Sequence, residues 1–203
     1  MAPVDLLFAP SQSLLPSLVA ALFGLFIGSF LNVVIFRLPR MMQRESDNYV
    51  AEESGQPLPH TERYNLAVPR SACPSCGHQI TALENIPVLS YLALGGKCSN
   101  CKTPISARYP VIELVAGLLS GLMVWHFGSG LAGLAALLFC YLLLAMTFID
   151  IDTQLLPDDL TYLLLWSGLL INLGGTFAPI QDAVVGAVAG YLTLWLVYWA
   201  FKL

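Results

Sequence analysis

From Leu14 to Phe36 the sequence contains no charged side chain. That run exceeds the ~20 apolar residues that carry a helix across a hydrocarbon core about 30 Å thick. Composition agrees: 57% of the residues are hydrophobic and 11% charged, whereas an ordinary soluble domain carries about 25% charged residues. A soluble enzyme is excluded as the reading, and the placement of the few charges becomes the useful signal.

Eight of the nine Lys and Arg residues fall between Arg37 and Arg108. This polar stretch, residues 37–109, is too hydrophilic to be embedded. After it come apolar runs at Pro110–Phe127, Leu131–Ile149, Leu160–Leu173 and Ala183–Phe201, separated by the Gly128-Ser129-Gly130 turn, an Asp-rich segment and a turn between Gly174 and Asp182. The expected fold is an all-α polytopic membrane protein of about five transmembrane helices, with a zinc-binding loop domain between the first and second. Its parts are residues 1–36, 37–109 and 110–203. The positive-inside rule puts the 37–109 loop in the cytoplasm, the N-terminus outside, and Lys202 with the Asp150–Asp159 segment back on the cytoplasmic face. A cleavable signal peptide is disfavoured, because residues 1–13 hold no basic residue and the apolar run exceeds the ~7–15 residues of a signal core. Pro, Gly and charge between Glu45 and His60 predict a mobile linker. Nothing in the sequence calls for a nucleic-acid partner; lipid is the expected surroundings.

Within the loop, Cys73-Pro-Ser-Cys76 and Cys98-Ser-Asn-Cys101 are two C-x-x-C pairs with 21 residues between them. Each pair can present two thiolates from a tight turn, so that four sulfurs close around one tetrahedral Zn²⁺. A redox dithiol or simple packing are the competing readings, and a cytoplasmic location disfavours stable disulfides. Four thiolates fill a closed site, so His78 is expected at the surface and not on the metal. Cys140 reads as a small apolar residue of a span. Between the pairs, Asn85–Leu92 is amphipathic, and Gly95-Gly96 permits a sharp return to Cys98. The two glycines either satisfy a turn with positive φ or let backbone approach a ligand.

Carboxylates cluster where the third span ends: Asp150, Asp152, Asp158 and Asp159. Asp158 and Asp159 follow Pro157 and suit the start of the fourth helix, where negative charge complements the dipole. Asp150 directly terminates the apolar run, and partial desolvation there would equip it to hold or exchange a proton near neutral pH. Aspartic-protease chemistry needs two carboxylates around one water. Asp152 is a poor partner on a helix, since two residues turn side chains ~200° apart.

The run Gly28-Ser29-Phe30-Leu31-Asn32-Val33-Val34-Ile35-Phe36-Arg37-Leu38-Pro39, the paired cysteines, Arg108-Tyr109-Pro110-Val111-Ile112-Glu113, and Phe148-Ile149-Asp150 through Leu156-Pro157-Asp158 together resemble the bacterial prepilin leader peptidase and N-methyltransferase family, in order and over nearly the whole chain. The resemblance implies an inner-membrane aspartic protease that removes the leader of type IV prepilins or type II secretion pseudopilins, and also S-adenosylmethionine-dependent methylation of the new N-terminus. It makes Asp150 the first catalytic aspartate, Cys73, Cys76, Cys98 and Cys101 the zinc ligands, and Gly96 with Lys97 members of a loop associated with methyl transfer. The family's second aspartate lies in a Gly-x-Gly-Asp motif after the fifth span, and the sequence stops at Leu203 before it. The expectation is therefore a fragment of a longer enzyme that does not cleave prepilin alone. A non-catalytic adaptor whose zinc loop docks pilus or type II secretion assembly components, or a redox membrane protein, are the other readings.

Overall fold

The structure, a computed structural model, describes residues 14–202. The segment before Leu14, with the signal-peptide and outward-facing readings attached to it, lies outside the described residues, as does Leu203. The regular structure of the described residues is helical, the 54–107 stretch is mostly turns and irregular backbone, and two isolated β-bridges join Ala72 with Gln79 and Lys97 with Pro104.

Helix α1 spans Leu14–Glu53, 40 residues, which at 1.5 Å per residue is about twice the hydrocarbon thickness. It does not stop at Phe36. The helix continues through Pro39 into Arg40, Met41, Met42, Gln43 and Arg44, which are good helix formers, and local bonds reinforce it: Gln43 Nε2 donates to Asp47 Oδ1 at 2.7 Å and Arg40 to the Phe36 carbonyl at 2.8 Å. The helix closes on Gly55 at φ 67, with Gly55 N–H on the Glu52 carbonyl and Gln56 N–H on that of Ala51, the bond pair of a Schellman cap. The linker expected over Glu45–His60 is thus corrected: its first half is helix. Its end is fastened back, since Asn48 exchanges two hydrogen bonds with the His60 backbone (2.8 and 3.0 Å) and Asp47 meets the His60 ring at 3.1 Å.

After a 3₁₀ turn at Leu83–Asn85 and the short helix α2, Leu89–Ala93, the chain enters α3, Arg108–Phe127, and α4, Leu131–Thr153. Helices α1, α3 and α4 share a core of Leu31, Val34, Ile35, Leu38, Ile112, Ala116, Leu144, Ala145 and Ile149. Small residues let α1 and α3 approach closely, as in membrane helix pairs. A Cβ at Gly28 would sit 2.6 Å from the Glu113 Cα, and one at Gly24 2.1 Å from Ser120 Oγ. Ser120 in turn meets the Tyr141 hydroxyl at 2.6 Å, joining α3 to α4.

Helix α4 runs past Ile149 to Thr153, so Asp150 and Asp152 lie inside its last turns and not beyond it. Gln154 at φ 53 ends it, its N–H on the Asp150 carbonyl at 2.8 Å. Asp158 and Asp159 open α5, Asp158–Asn172, as expected of first-turn carboxylates. This helix has 15 residues, about 22 Å, short of a full crossing. Four helices, α1, α3, α4 and α6 (Ile180–Lys202), are long and apolar enough to span a membrane. The expected set of about five is therefore four long helices and one shorter one.

Candidate metal centre and the acidic helix end

The two C-x-x-C segments fold as near-copies. In the first, Cys73 N–H donates to the His78 carbonyl and Gly77 N–H to that of Cys73, both 2.9 Å; in the second, Cys98 N–H donates to Thr103 (2.9 Å) and Lys102 N–H to Cys98 (3.1 Å). Each is a hairpin whose tip points a pair of sulfurs at the other. Cys73 Sγ lies 3.8 Å from Cys101 Sγ, Cys76 Sγ 3.9 Å from Cys98 Sγ, and the four sulfurs fall within 4.8 Å of one another. A tetrahedron with metal–sulfur bonds of about 2.3 Å has edges of about 3.8 Å, whereas a disulfide needs about 2.05 Å. The cluster could hold a metal ion, and four sulfurs would leave no ligand position open on a tetrahedral one. All five described cysteines are free thiols.

Surrounding donors favour thiolate at two of the four. The Thr103 hydroxyl, 3.2 Å from the Cys101 sulfur, together with the Thr103 N–H, brings that thiol down to about 6. The Ser75 and Cys76 amides lower Cys73. Asn100 Nδ2 donates to the Cys76 sulfur at 3.6 Å. His78 turns away from the sulfurs, its Nε2 3.2 Å from Glu84 Oε1, as expected of a residue outside a filled site. Glu84 connects the hairpins. Hydrogen bonds from Ser99, and from the Thr81 N–H (2.8 Å) and hydroxyl, hold its carboxyl down to about 2. Thr81 and Glu84 reciprocate in the manner of a capping box, Glu84 N–H on Thr81 Oγ1 at 3.4 Å.

The return loop resolves the use of its glycines. Gly95 and Gly96 both adopt positive φ, 62 and 68, and a Cβ at Gly96 would meet the Tyr91 ring at 2.9 Å. Turn geometry and a packed ring account for Gly96. Lys97, exposed, begins the second hairpin beside Cys98. Cys140, half-buried, lines an apolar recess between α3, α4 and α5 together with Phe139 and Ser167.

At the end of α4, Asp150 is exposed, so the desolvation expected of it is not supplied by the described residues. Among these, none forms a hydrogen bond or ion pair with its carboxylate. Asp152 is engaged: Arg108 pairs with it, donates to the Phe148 carbonyl at 3.0 Å and lies over the Phe148 ring. Because Arg108 opens α3 directly after the second hairpin, it ties the metal loop to the helix end that carries Asp150.

Two residues of the site are not singled out by sequence pattern. Arg108 is visible there only as one member of a motif. Glu113 is a carboxylate inside an apolar run, the costly placement that marks a residue for attention; it is buried at 8% exposure and accepts a hydrogen bond from Val88 N–H at 2.7 Å.

The fold and site define a helical membrane-spanning class of protein with a four-thiolate knuckle inserted after the first long helix. The model of the bacterial peptidase A24 N-terminal domain matches residues 22–127, and that of the type IV leader peptidase family matches residues 137–202. Among curated proteins, a prepilin leader peptidase/N-methyltransferase of Aeromonas salmonicida is 57% identical over 186 residues, 90% of this chain and 64% of the relative. Proteins of the same name from Stutzerimonas stutzeri and Pseudomonas aeruginosa are 54% and 55% identical, covering 100% and 92% of this chain and 70% and 64% of their own lengths. The chain belongs to the type IV leader peptidase family, and spans 64–70% of the length of these relatives. No solved structure matches it.

Proposed function

We propose that the chain serves in leader-peptide cleavage of type IV prepilins or pseudopilins and in methylation of the new N-terminus, at the cytoplasmic face of the bacterial inner membrane. The carrying observation is identity of 54–57% to prepilin leader peptidase/N-methyltransferases across nine-tenths or more of the chain. Assembly components of the pilus or type II secretion system are its further partners in this reading.

In this reading Asp150 contributes one of the two carboxylates of the protease, holding or withdrawing a proton from the attacking water. Its exposure at the end of α4 supports access to an incoming peptide. Asp152 is disfavoured as the other carboxylate, because Arg108 already pairs with it. Zinc is the metal best suited to four thiolates; Cys73, Cys76, Cys98 and Cys101 would hold it, and its role would be structural, closing the two hairpins on one another and so fixing the return loop.

S-adenosylmethionine would supply the methyl group when bound. The space beside Gly95, where nothing lies within 4 Å of a built Cβ, and the exposed Lys97 supply the open edge of the loop, whereas Gly96 is covered by Tyr91. A cofactor approaching this loop would therefore meet Gly95 and Lys97, with Gly96 shaping the turn from behind.

The test is this sequence within an enzyme of the relatives' full length, carrying both carboxylates, reconstituted in lipid and supplied with a prepilin and labelled S-adenosylmethionine. Asp150→Asn should abolish leader removal while leaving the metal bound. A variant that still processes prepilin at the normal rate would overturn the role of Asp150, and binding of assembly components without any processing would support an adaptor instead.

A further inference from the structure

Val88 is a β-branched residue in a conformation that such residues avoid. Its φ of 62 and ψ of −48, with Leu89 N–H on the Pro87 carbonyl at 2.6 Å, make it the centre of a positive-φ γ-turn, a rare and strained arrangement. Strain of this kind persists only where surrounding structure enforces it. What enforces it here is Glu113 of α3, whose Oε2 accepts the Val88 N–H at 2.7 Å. Glu113 is buried at 8% exposure, and losing the Val88 donor would leave a buried acceptor underserved, which costs free energy.

The strained turn starts α2. Leu92 N–H bonds to the Val88 carbonyl, and Gly96 N–H to that of Tyr91. The Tyr91 ring covers Gly96, and its hydroxyl reaches the Ile105 carbonyl at 3.4 Å. Ile105 N–H closes on Gly96 O at 2.7 Å, at the base of the hairpin that carries Lys97 and Cys98. A continuous set of bonds thus runs from a carboxylate in the helix bundle to the loop outside it.

We propose that Glu113 is a positioning residue: through the Val88 turn and α2 it seats the Gly95–Lys97 loop against the bundle. Its effect on activity rests on the methyl-transfer reading above. Its effect on the loop does not.

Four full chains with metal bound separate reach from charge: wild type, Glu113→Gln, Glu113→Asp and Glu113→Ala. The amide of Glu113→Gln still presents an oxygen to Val88. Glu113→Asp keeps the charge but is one methylene too short. Amide hydrogen exchange is read at Leu92, Leu94 and Gly96, alongside metal content and the kcat/KM of methyl transfer from S-adenosylmethionine. Glu113→Gln should stay within about threefold of wild type. Glu113→Asp and Glu113→Ala should speed exchange and lower kcat/KM at least tenfold with metal content unchanged. Adding Val88→Gly to Glu113→Asp should restore most of the protection, because glycine adopts the turn without strain.

Unchanged exchange in Glu113→Asp, or Glu113→Gln behaving as Glu113→Ala, overturns the proposal. So does faster exchange with undiminished methyl transfer. If wild type transfers no methyl group, the methyl-transfer reading fails by itself, and the exchange measurements alone uphold or overturn the seating of the loop.

Discussion

Gly77 and Lys102 occupy the same place in the two metal hairpins. Each lies four residues after the first cysteine of its pair, donates its N–H to that cysteine's carbonyl, and has left-handed φ, 71 and 60. For an L side chain this conformation costs roughly 1–2 kcal/mol, which glycine escapes. Gly77→Ala should therefore lower the stability of the metal-loaded loop by about 1 kcal/mol. Lys102→Gly should raise it by several tenths of a kcal/mol, glycine's larger unfolded-state freedom offsetting some of the relief. Chelator concentrations needed to extract the metal check both, and a Lys102→Gly protein that loses metal more easily would count against the equivalence.

Glu84 makes the loop sensitive to acid. Its carboxyl is held at about 2, against 4.5 for a free one, chiefly by Ser99 and Thr81. A carboxyl lowered on folding stabilises the fold above its unfolded pKa, and that contribution disappears as pH falls through the folded value. Glu84→Gln should expose the Thr81–Asn85 amides to faster exchange at neutral pH. The gap between variant and wild type should narrow between about pH 4.5 and 2. Metal content is followed at each pH, because thiolate protonation contributes its own acid dependence. A gap that stays constant with pH would show that the carboxylate's hydrogen bonds are not its source.

Spans and the four-cysteine cluster are legible because each depends on a pattern local to the sequence. An apolar run reports burial in lipid, and C-x-x-C spacing reports a turn that aims two sulfurs. The continuation of α1 through Glu53 is less visible, since Pro39, charge and Ser54-Gly55 suggest a linker, whereas the helix continues through Pro39 and Gly55 serves as its cap. Asp150 can be placed along the chain but not in its surroundings: its exposure depends on which face α4 turns to its neighbours. Glu113 and Val88 meet across 25 residues of sequence separation, a pairing that periodicity does not encode. A carboxylate inside an apolar run is the available signal.

Arg108 and Asp152 should be coupled more strongly in function than in stability. Their side chains are 33% and 39% exposed, and ion pairs of that kind contribute at most about 1 kcal/mol. Arg108 also fixes the Phe148 carbonyl two residues before Asp150, so it orients the turn that presents Asp150. Arg108→Ala should change the melting temperature little and, on the function proposed above and within an enzyme of the relatives' full length, lower leader processing at least tenfold. Exchanging the charges, Arg108→Asp with Asp152→Arg, should recover only the stability, since the Phe148 bond and ring contact are not restored. Processing by Arg108→Ala at the wild-type rate would remove Arg108 from the positioning of Asp150.

Gly28 carries the close approach of α1 to α3, and it can be separated from a glycine's general helix cost. A methyl group at Gly28 would collide with Glu113 Cα at 2.6 Å and Ala116 Cβ at 2.9 Å, neither of which is the end of a flexible side chain. Gly186 in α6 has nothing within 4 Å of the same built atom. In an unobstructed helix, Gly→Ala is favourable by roughly 0.8–1 kcal/mol, so Gly186→Ala should be neutral or stabilising. Gly28→Ala must instead push the packed α1 and α3 backbones apart, and overpacking of this kind costs about 1–3 kcal/mol. Because Ser29 and Glu113 lie at the same crossing, the separation should also loosen the Val88 turn. Thermal unfolding in detergent measures the first effect, and Leu92 amide exchange the second. A Gly28→Ala protein as stable as wild type would mean that the α1–α3 distance is set elsewhere, by the Gly24–Ser120 contact one turn away.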